Sequence, residues 1–198
     1  MHPYLTTILV MIIFALPGQI SLDETRNRLI LLTSLVRGLG LLLILLPLSL
    51  GNSPEERRKM GWTKPSLLDL SQIPLLVIST LLLAGILSPP NPTAKPELGD
   101  FTNIALLILC LMLASITEEM FFRSWMLTAL RASGVPRLFT VLISIISFAS
   151  IHLWQGLHGV TAAALSGLIY ALFFLYRRNL IVLIGAHALH NIIVLLYR

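Results

Sequence analysis

Long runs of apolar residues, separated by short polar segments, make up most of this 198-residue chain. Most runs are close to the ~20 residues with which a helix crosses a bilayer. The runs are continuous and do not alternate between apolar and polar positions, which argues against a transmembrane β-barrel. We therefore predict an all-α, polytopic membrane helix bundle with about seven transmembrane helices. The apolar runs are residues 4–20, 29–50, 70–87, 101–131, 137–154, 157–176 and 180–197.

A proline-rich segment, residues 88–100, divides the chain into two parts. Proline breaks a helix interior, so this segment is predicted to be a linker. Residues 1–100 hold the linker and the N-terminal helices, with no recognisable chemical motif. Residues 101–198 hold four runs and are predicted to form a four-helix catalytic core. The first run has no basic segment before it, so we expect a retained helix and not a cleaved signal.

The composition agrees with a membrane protein. Apolar residues make up 56% of the chain and charged residues 12%, against about 25% charged residues in soluble domains. Any activity must therefore be built inside the helix bundle. The net charge of +5 comes from basic residues in short loops, where they set orientation, so no nucleic-acid partner is expected. The single cysteine, Cys110, is predicted to serve packing.

Basic residues are unevenly divided between the two faces that seven crossings would create. One face would hold eight of them and the other four, which predicts that the N-terminus and the richer face are cytoplasmic. Arg37 lies inside the second run and weakens this prediction. The richer face would hold Arg57, Arg58, Lys59, Lys64, Arg131, Arg137, Arg177 and Arg178, and the other face Arg26, Arg28, Lys95 and Arg198.

Two adjacent glutamates, Glu118 and Glu119, follow an apolar stretch, and Arg123 comes shortly after them. A carboxylate in a bilayer costs ~2.5–3.5 kcal/mol on insertion scales, so such residues indicate a functional site. Glu119 and Arg123 are four residues apart and can pair on one helical face, which leaves Glu118 available for chemistry. Alternatively, both glutamates cap a helix end near the headgroups. The apolar residues at 120–122 argue against that alternative.

Polar side chains occur at two further places in the later runs. His152 lies four residues after Phe148, and His187 lies four residues before Asn191, each pair on one helical face. A carboxylate near two histidines can hold and deprotonate a water molecule. An amide such as that of Asn191 can donate a hydrogen bond to a developing oxyanion. The same histidines and a glutamate could instead bind zinc.

Other catalytic patterns are missing from the sequence. It contains no H-E-x-x-H zinc motif, no G-x-S-x-G motif and no G-x-G-D motif. Serine and aspartate nucleophiles therefore have no support. His158 and His190 stay open as alternatives to the two histidines chosen above.

The order of these residues resembles the signature of the CAAX protease and bacteriocin-processing (CPBP, or Abi) family of intramembrane proteases. The E-E-x-x-x-R motif occurs at residues 118–123, F-x-x-x-H at 148–152 and H-x-x-x-N at 187–191. The resemblance covers about residues 101–198. It departs from the family pattern at Ser124, where a glycine often follows the arginine.

The resemblance implies an intramembrane endopeptidase of the glutamate or the metal-dependent type. Its cofactor is therefore expected to be either none or zinc. The resemblance implies that Glu118 is the general base and that His152 and His187 position the water. If a metal is present, the same two histidines and Glu118 would bind it. Asn191 is the implied oxyanion donor, and Glu119 and Arg123 are implied to be structural residues.

The implied substrate is a membrane-associated peptide or protein that enters from the cytoplasmic side. The short chain shows no organelle-targeting segment, which favours a multi-pass protein of the bacterial inner membrane. The alternative is a non-catalytic membrane protein, either a bacteriocin-immunity scaffold or a proton-coupled transporter, because buried Glu, Arg and His also mark ion pathways. No internal repeat of the kind common in transporters is visible.

Overall fold

The computed structural model describes residues 10–14, 24–87 and 101–197. All regular structure in these residues is helical, with no strand, so the predicted all-α class is confirmed. The helices are α1 (Glu24–Leu50), α2 (Pro54–Lys59), α3 (Leu67–Leu70), α4 (Gln72–Leu87), α5 (Phe101–Glu119), α6 (Leu127–Ala132), α7 (Arg137–Ser150), α8 (Gly156–Arg177) and α9 (Leu180–Tyr197), with a π-helix at Met120–Met126 and a 3₁₀ turn at Leu153–Gln155.

Within the described residues, four helical stretches are long and apolar enough to cross a membrane. Two shorter apolar helices accompany them, which confirms a polytopic helix bundle. The first predicted run lies largely outside the described residues, although residues 10–14 are helical. The four long stretches are Arg28–Leu50, Leu67–Leu87, Asn103–Ala132 and Leu153–Arg177, and the shorter helices are Arg137–Ser150 and Leu180–Leu196.

The N-terminal helices pack directly on the C-terminal ones. Helix α1 packs along α5, α4 packs against α8 and α9, and α7 packs against α8. The predicted linker, residues 88–100, lies outside the described residues. The division into residues 1–100 and 101–198 therefore stays a prediction.

Helix α5 changes to a π-helix immediately after the two glutamates. The π-helix spans Met120–Met126, and all seven of its residues are buried. Its aromatic side chains form part of the core: the ring centroids of Phe121 and Phe122 lie 4.9 Å apart, and Phe121 stacks on Trp125 at 5.6 Å. The sequence predicted an uninterrupted run here and gave no sign of the wider turn, which is uncommon and is often found at functional sites.

The basic loops meet at one end of the bundle. The backbone N–H of Leu180 donates to the carbonyl of Gly61 over 2.9 Å. The Thr63 hydroxyl donates to the carbonyl of Arg178 over 3.1 Å, and the Arg178 guanidinium donates to the carbonyl of Lys59 over 3.0 Å. The connection between α2 and α3 is thus fastened to the turn between α8 and α9.

The close fit at Gly61 leads to the first prediction. Gly61 has φ +83°, and a Cβ there would lie 2.6 Å from the Phe174 ring and 3.2 Å from the backbone nitrogen of Leu180. Gly134 has a similar φ of +81° with nothing within 4 Å. Both alanine variants meet left-handed strain, but only Gly61→Ala also overpacks the core. We expect Gly61→Ala to lose about 1–3 kcal/mol more unfolding free energy than Gly134→Ala.

Thermal unfolding of the two alanine variants in the same detergent measures this difference. Equal losses for Gly61→Ala and Gly134→Ala would show that the loop does not press on α8 and α9 as described.

Candidate active site

The carboxylate of Glu119 is fully buried at the end of α5 and contacts two partners. Its Oε2 lies 3.3 Å from Nε of Arg123, so the predicted pair across one helical turn is confirmed. Its Oε1 lies 2.8 Å from Nδ1 of His187 on α9, a hydrogen bond that the sequence did not reveal. Glu119 therefore joins the π-helix to α9.

Arg123 is also fully buried, among aromatic rings. Its guanidinium carbon lies 4.3 Å from the ring centroid of Phe148, 5.7 Å from that of Tyr170 and 5.9 Å from that of Phe122. The contact with Glu119 is close in distance but lacks hydrogen-bond geometry, and Arg123 makes no hydrogen bond within the described residues. Charge attraction and cation–π contacts therefore hold this side chain in place.

The hydrogen bond to Glu119 sets the orientation of His187. A neutral imidazole that donates from Nδ1 keeps a lone pair on Nε2. Nε2 of His187 lies 3.7 Å from Oε2 of Glu118, too far for a direct hydrogen bond. A water molecule beside the pair could bond to both atoms at once. The arrangement can therefore hold a water between a base and an oriented imidazole.

His152 lies in the turn after α7. The prediction of one continuous helix over residues 137–154 is wrong, because α7 ends at Ser150 and a 3₁₀ turn follows at Leu153–Gln155. Nδ1 of His152 lies 2.9 Å from the carbonyl oxygen of Phe148, a bond that leaves Nε2 available. The Phe148 ring lies 4.8 Å from the ring of His152 and 6.1 Å from that of His187, centroid to centroid. Phe148 thus lies close to both imidazoles.

Asn191 lies one turn beyond His187 on α9. Its Nδ2 donates to the Ser115 hydroxyl over 3.1 Å. That hydroxyl in turn donates to the carbonyl of Leu111 over 2.9 Å. An amide nitrogen carries two N–H groups, so Asn191 can bind Ser115 and still donate to a ligand oxygen.

A cavity of about 320 Å³ borders these groups. Its lining includes all four residues predicted to do chemistry: Glu118, His152, His187 and Asn191. A second cavity of about 370 Å³ shares the two histidines and Asn191 with the first and is also lined by residues of α4 and α8. These three residues therefore border both cavities.

The alternative histidines are placed differently. His158 is exposed and is not among the residues that line either cavity. His190 lines the second cavity, and its Nδ1 lies 2.9 Å from the Thr80 hydroxyl on α4. The cavity that contains Glu118 is thus lined by His152 and His187, and neither alternative histidine is among its lining residues.

Sequence reasoning missed two buried residues of the site. Ser115 holds Asn191, and the Tyr170 ring lies 5.4 Å from the His187 ring. Ser115 is a polar residue one turn before Glu118 in an otherwise apolar run, which is a signal that could have been used. Tyr170 has no such signal, because a tyrosine in an apolar run is common in any membrane helix.

Residues 100–193 match the family model described as "Type II CAAX prenyl endopeptidase Rce1-like". This part of the chain is therefore similar to the Rce1-like family of CAAX proteases. The match includes all three motifs, and it is consistent with the CPBP resemblance seen in the sequence. No curated protein and no solved structure matches the chain significantly.

A zinc ion at this candidate site would need about three protein ligands. Within the described residues, no three His, Cys, Asp or Glu side chains are arranged to hold a metal ion. The predicted set of Glu118, His152 and His187 therefore does not fit a three-ligand site as the side chains lie here. The choice between zinc and no metal stays a prediction, which metal analysis of the purified protein tests.

The bridging position of Glu119 leads to the second prediction. Glu119→Gln leaves Arg123 as a buried cation without its counter-charge. Breaking a buried pair costs about 3–5 kcal/mol. Glu118→Gln is the matched control, because Glu118 is 13% exposed and makes no comparable pair. We expect thermal unfolding in detergent to show a large loss for Glu119→Gln and a loss of less than about 1 kcal/mol for Glu118→Gln. Similar losses would contradict the assignment.

Proposed function

We propose that this protein is an intramembrane endopeptidase in which Glu118 activates the water that attacks a peptide bond. The observation that carries the proposal is the pairing, across 3.7 Å, of the Glu118 carboxylate with an imidazole nitrogen on a cavity wall. The family match to an endopeptidase supports the same activity.

Water activation is the first step. Glu118 accepts a proton from the water, and the resulting hydroxide attacks the carbonyl carbon of the substrate. Nε2 of His187 accepts the second hydrogen of the water, because Nδ1 of this ring is engaged with Glu119. His152, whose Nδ1 is engaged with the Phe148 carbonyl, lines the same cavity and helps to position the water there. Rings with fixed orientation need little rearrangement when the reaction begins.

Oxyanion stabilisation is the second step. The attack places a negative charge on the former carbonyl oxygen, and a donor aimed at that oxygen lowers the barrier. Asn191 supplies an N–H, and its amide is held by Ser115. The proton on Glu118 then passes to the leaving nitrogen as the C–N bond breaks. The products are a carboxylic acid and an amine, between which a proton passes on release to give a carboxylate and an ammonium group, and Glu118 is again ionised.

The route to the site is part of the proposal. The cavity lining extends from Glu118 to Ile30 on α1 and Leu107 on α5, and no residue of the basic loops is part of it. Arg28 and Asn103, near the first residues of α1 and α5, are joined by a hydrogen bond of 3.2 Å. Ile30 and Leu107 lie toward this same end of the two helices. The residues that line the cavity therefore do not support the expected entry of substrate from the side of the basic loops. We propose entry along α1 and α5 from the end opposite the basic loops.

The substrate class follows from this setting. A site inside the helix bundle acts on a segment of a membrane-associated peptide or protein. In a bacterial membrane, the substrates would be leader or signalling peptides and not prenylated tails.

The third prediction tests the general base. Glu118→Gln keeps the shape of the side chain but cannot accept the proton from water. We expect kcat/KM on a quenched fluorescent reporter peptide to fall at least about 100-fold, with unfolding temperature almost unchanged. Equal cleavage by the purified wild type and the Gln variant would rule out the catalytic role of Glu118. The scaffold or transporter alternative would then be favoured.

The fourth prediction tests the oxyanion donor. Asn191→Ala removes the N–H that meets the transition state, so we expect kcat to fall about 100- to 1,000-fold with little change in KM. Ser115→Ala is the control: it removes the hydroxyl that holds Asn191 but keeps the amide, and a loss of about 10-fold or less is expected. A larger loss for Ser115→Ala than for Asn191→Ala would contradict the role of Asn191.

A further inference from the structure

One charged side chain in the membrane has no part in the mechanism above. Arg37 lies inside the candidate membrane span Arg28–Leu50, about 20 Å along α1 from its end at Leu50. It lines the same cavity as Glu118. An arginine in such a position is costly and indicates a function.

The packing of α1 on α5 brings Arg37 close to the catalytic side chains. A Cβ on Gly38 would lie 2.5 Å from Cδ2 of Leu113, so the two helices touch at that point. Leu113 comes five residues before Glu118 on α5. Since a helix rises ~1.5 Å per residue, Arg37 lies roughly 8 Å from Glu118 along the axis of α5.

The charges in the cavity are therefore separated along its length. Glu118 is negative and repels a substrate carboxylate close to the scissile bond. Arg37 attracts a carboxylate that lies about 8 Å away, and its planar guanidinium can bind the two oxygens together. Among the lining residues that the structure describes, Arg37 is the one with a permanent positive charge.

We propose that Arg37 binds a carboxylate of the substrate and so determines which peptides are cleaved. An extended peptide covers about 3.3–3.6 Å per residue, which puts this carboxylate about two or three residues from the scissile bond. The carboxylate can be a C-terminus or an acidic side chain. Arg37 has other contacts in the structure, but a guanidinium has five N–H donors and can bind more than one group. The proposal rests on the proposed peptidase function.

The test compares peptides that differ only in charge. Three apolar fluorescent reporter peptides share one sequence: the first ends in a free carboxylate, the second in an amide, and the third in an amide with an aspartate near the C-terminus. We expect wild-type protein in detergent to show a KM about 10- to 100-fold lower for at least one anionic peptide than for the neutral one. The anionic peptide that is preferred identifies the source of the carboxylate.

Variants of Arg37 then isolate its role. Arg37→Gln should abolish this preference by raising KM for the anionic peptide, with kcat and the neutral peptide little affected. Arg37→Lys should keep part of the preference. Arg57→Gln is the control, because Arg57 is an exposed arginine on α2 and is absent from the cavity lining, and it should keep the full preference.

A binding measurement separates this proposal from the peptidase itself. Fluorescence anisotropy reports binding of the same peptides to Glu118→Gln, with Arg37 or with Gln at position 37. If the wild type cleaves none of the peptides, the peptidase proposal fails, while an anionic preference in binding that disappears with Arg37→Gln still supports the role of Arg37. The role is overturned if no peptide binds, if binding and cleavage show no charge preference, or if Arg37→Gln keeps the preference.

Discussion

The burial of one carboxylate, that of Glu119, is the constraint on which the rest of the site depends. A buried anion needs a counter-charge and a hydrogen-bond donor, because the helix interior supplies no water to replace them. Arg123 supplies the first at 3.3 Å and His187 the second at 2.8 Å. Arg123 in turn needs the rings of Phe148 on α7 and Tyr170 on α8. A single charge thus links helices from four parts of the C-terminal sequence.

The adjacent glutamates have different environments for a simple geometric reason. Neighbouring residues in a helix point about 100° apart, so one side chain can face the core while the other faces a cavity. Glu119 is fully buried, whereas Glu118 keeps 13% of its surface. Arg123 balances the charge of Glu119, and Glu119 in turn binds Nδ1 of His187. This bond fixes the orientation of the His187 ring beside Glu118. One carboxylate therefore prepares the imidazole with which the other can share a water.

Local spacing predicted part of this site, and tertiary contacts decided the remainder. The pairing of Glu119 with Arg123 follows from a separation of four residues. The bond from Glu119 to His187 joins residues 68 positions apart, and no local pattern encodes it. Apolar runs located the helices, but hydrophobicity continues past Ser150 into a turn, so helix α7 was predicted too long. The π-helix at Met120–Met126 has no compositional signature and was missed.

Orientation and access are separate physical questions, and Arg37 shows why. Loop lysines and arginines record which face stays in the cytoplasm, because moving them across a bilayer is costly. The loops that hold them are fastened together at one end, through bonds such as that from Leu180 to Gly61. A cavity instead forms where side chains leave space between packed elements, and here it is lined by α1, α5, α9 and the turn after α7. Arg37 belongs to that cavity and not to a loop. Its charge is therefore explained by substrate binding, and it should not be counted among the loop residues that set the orientation of the chain in the membrane.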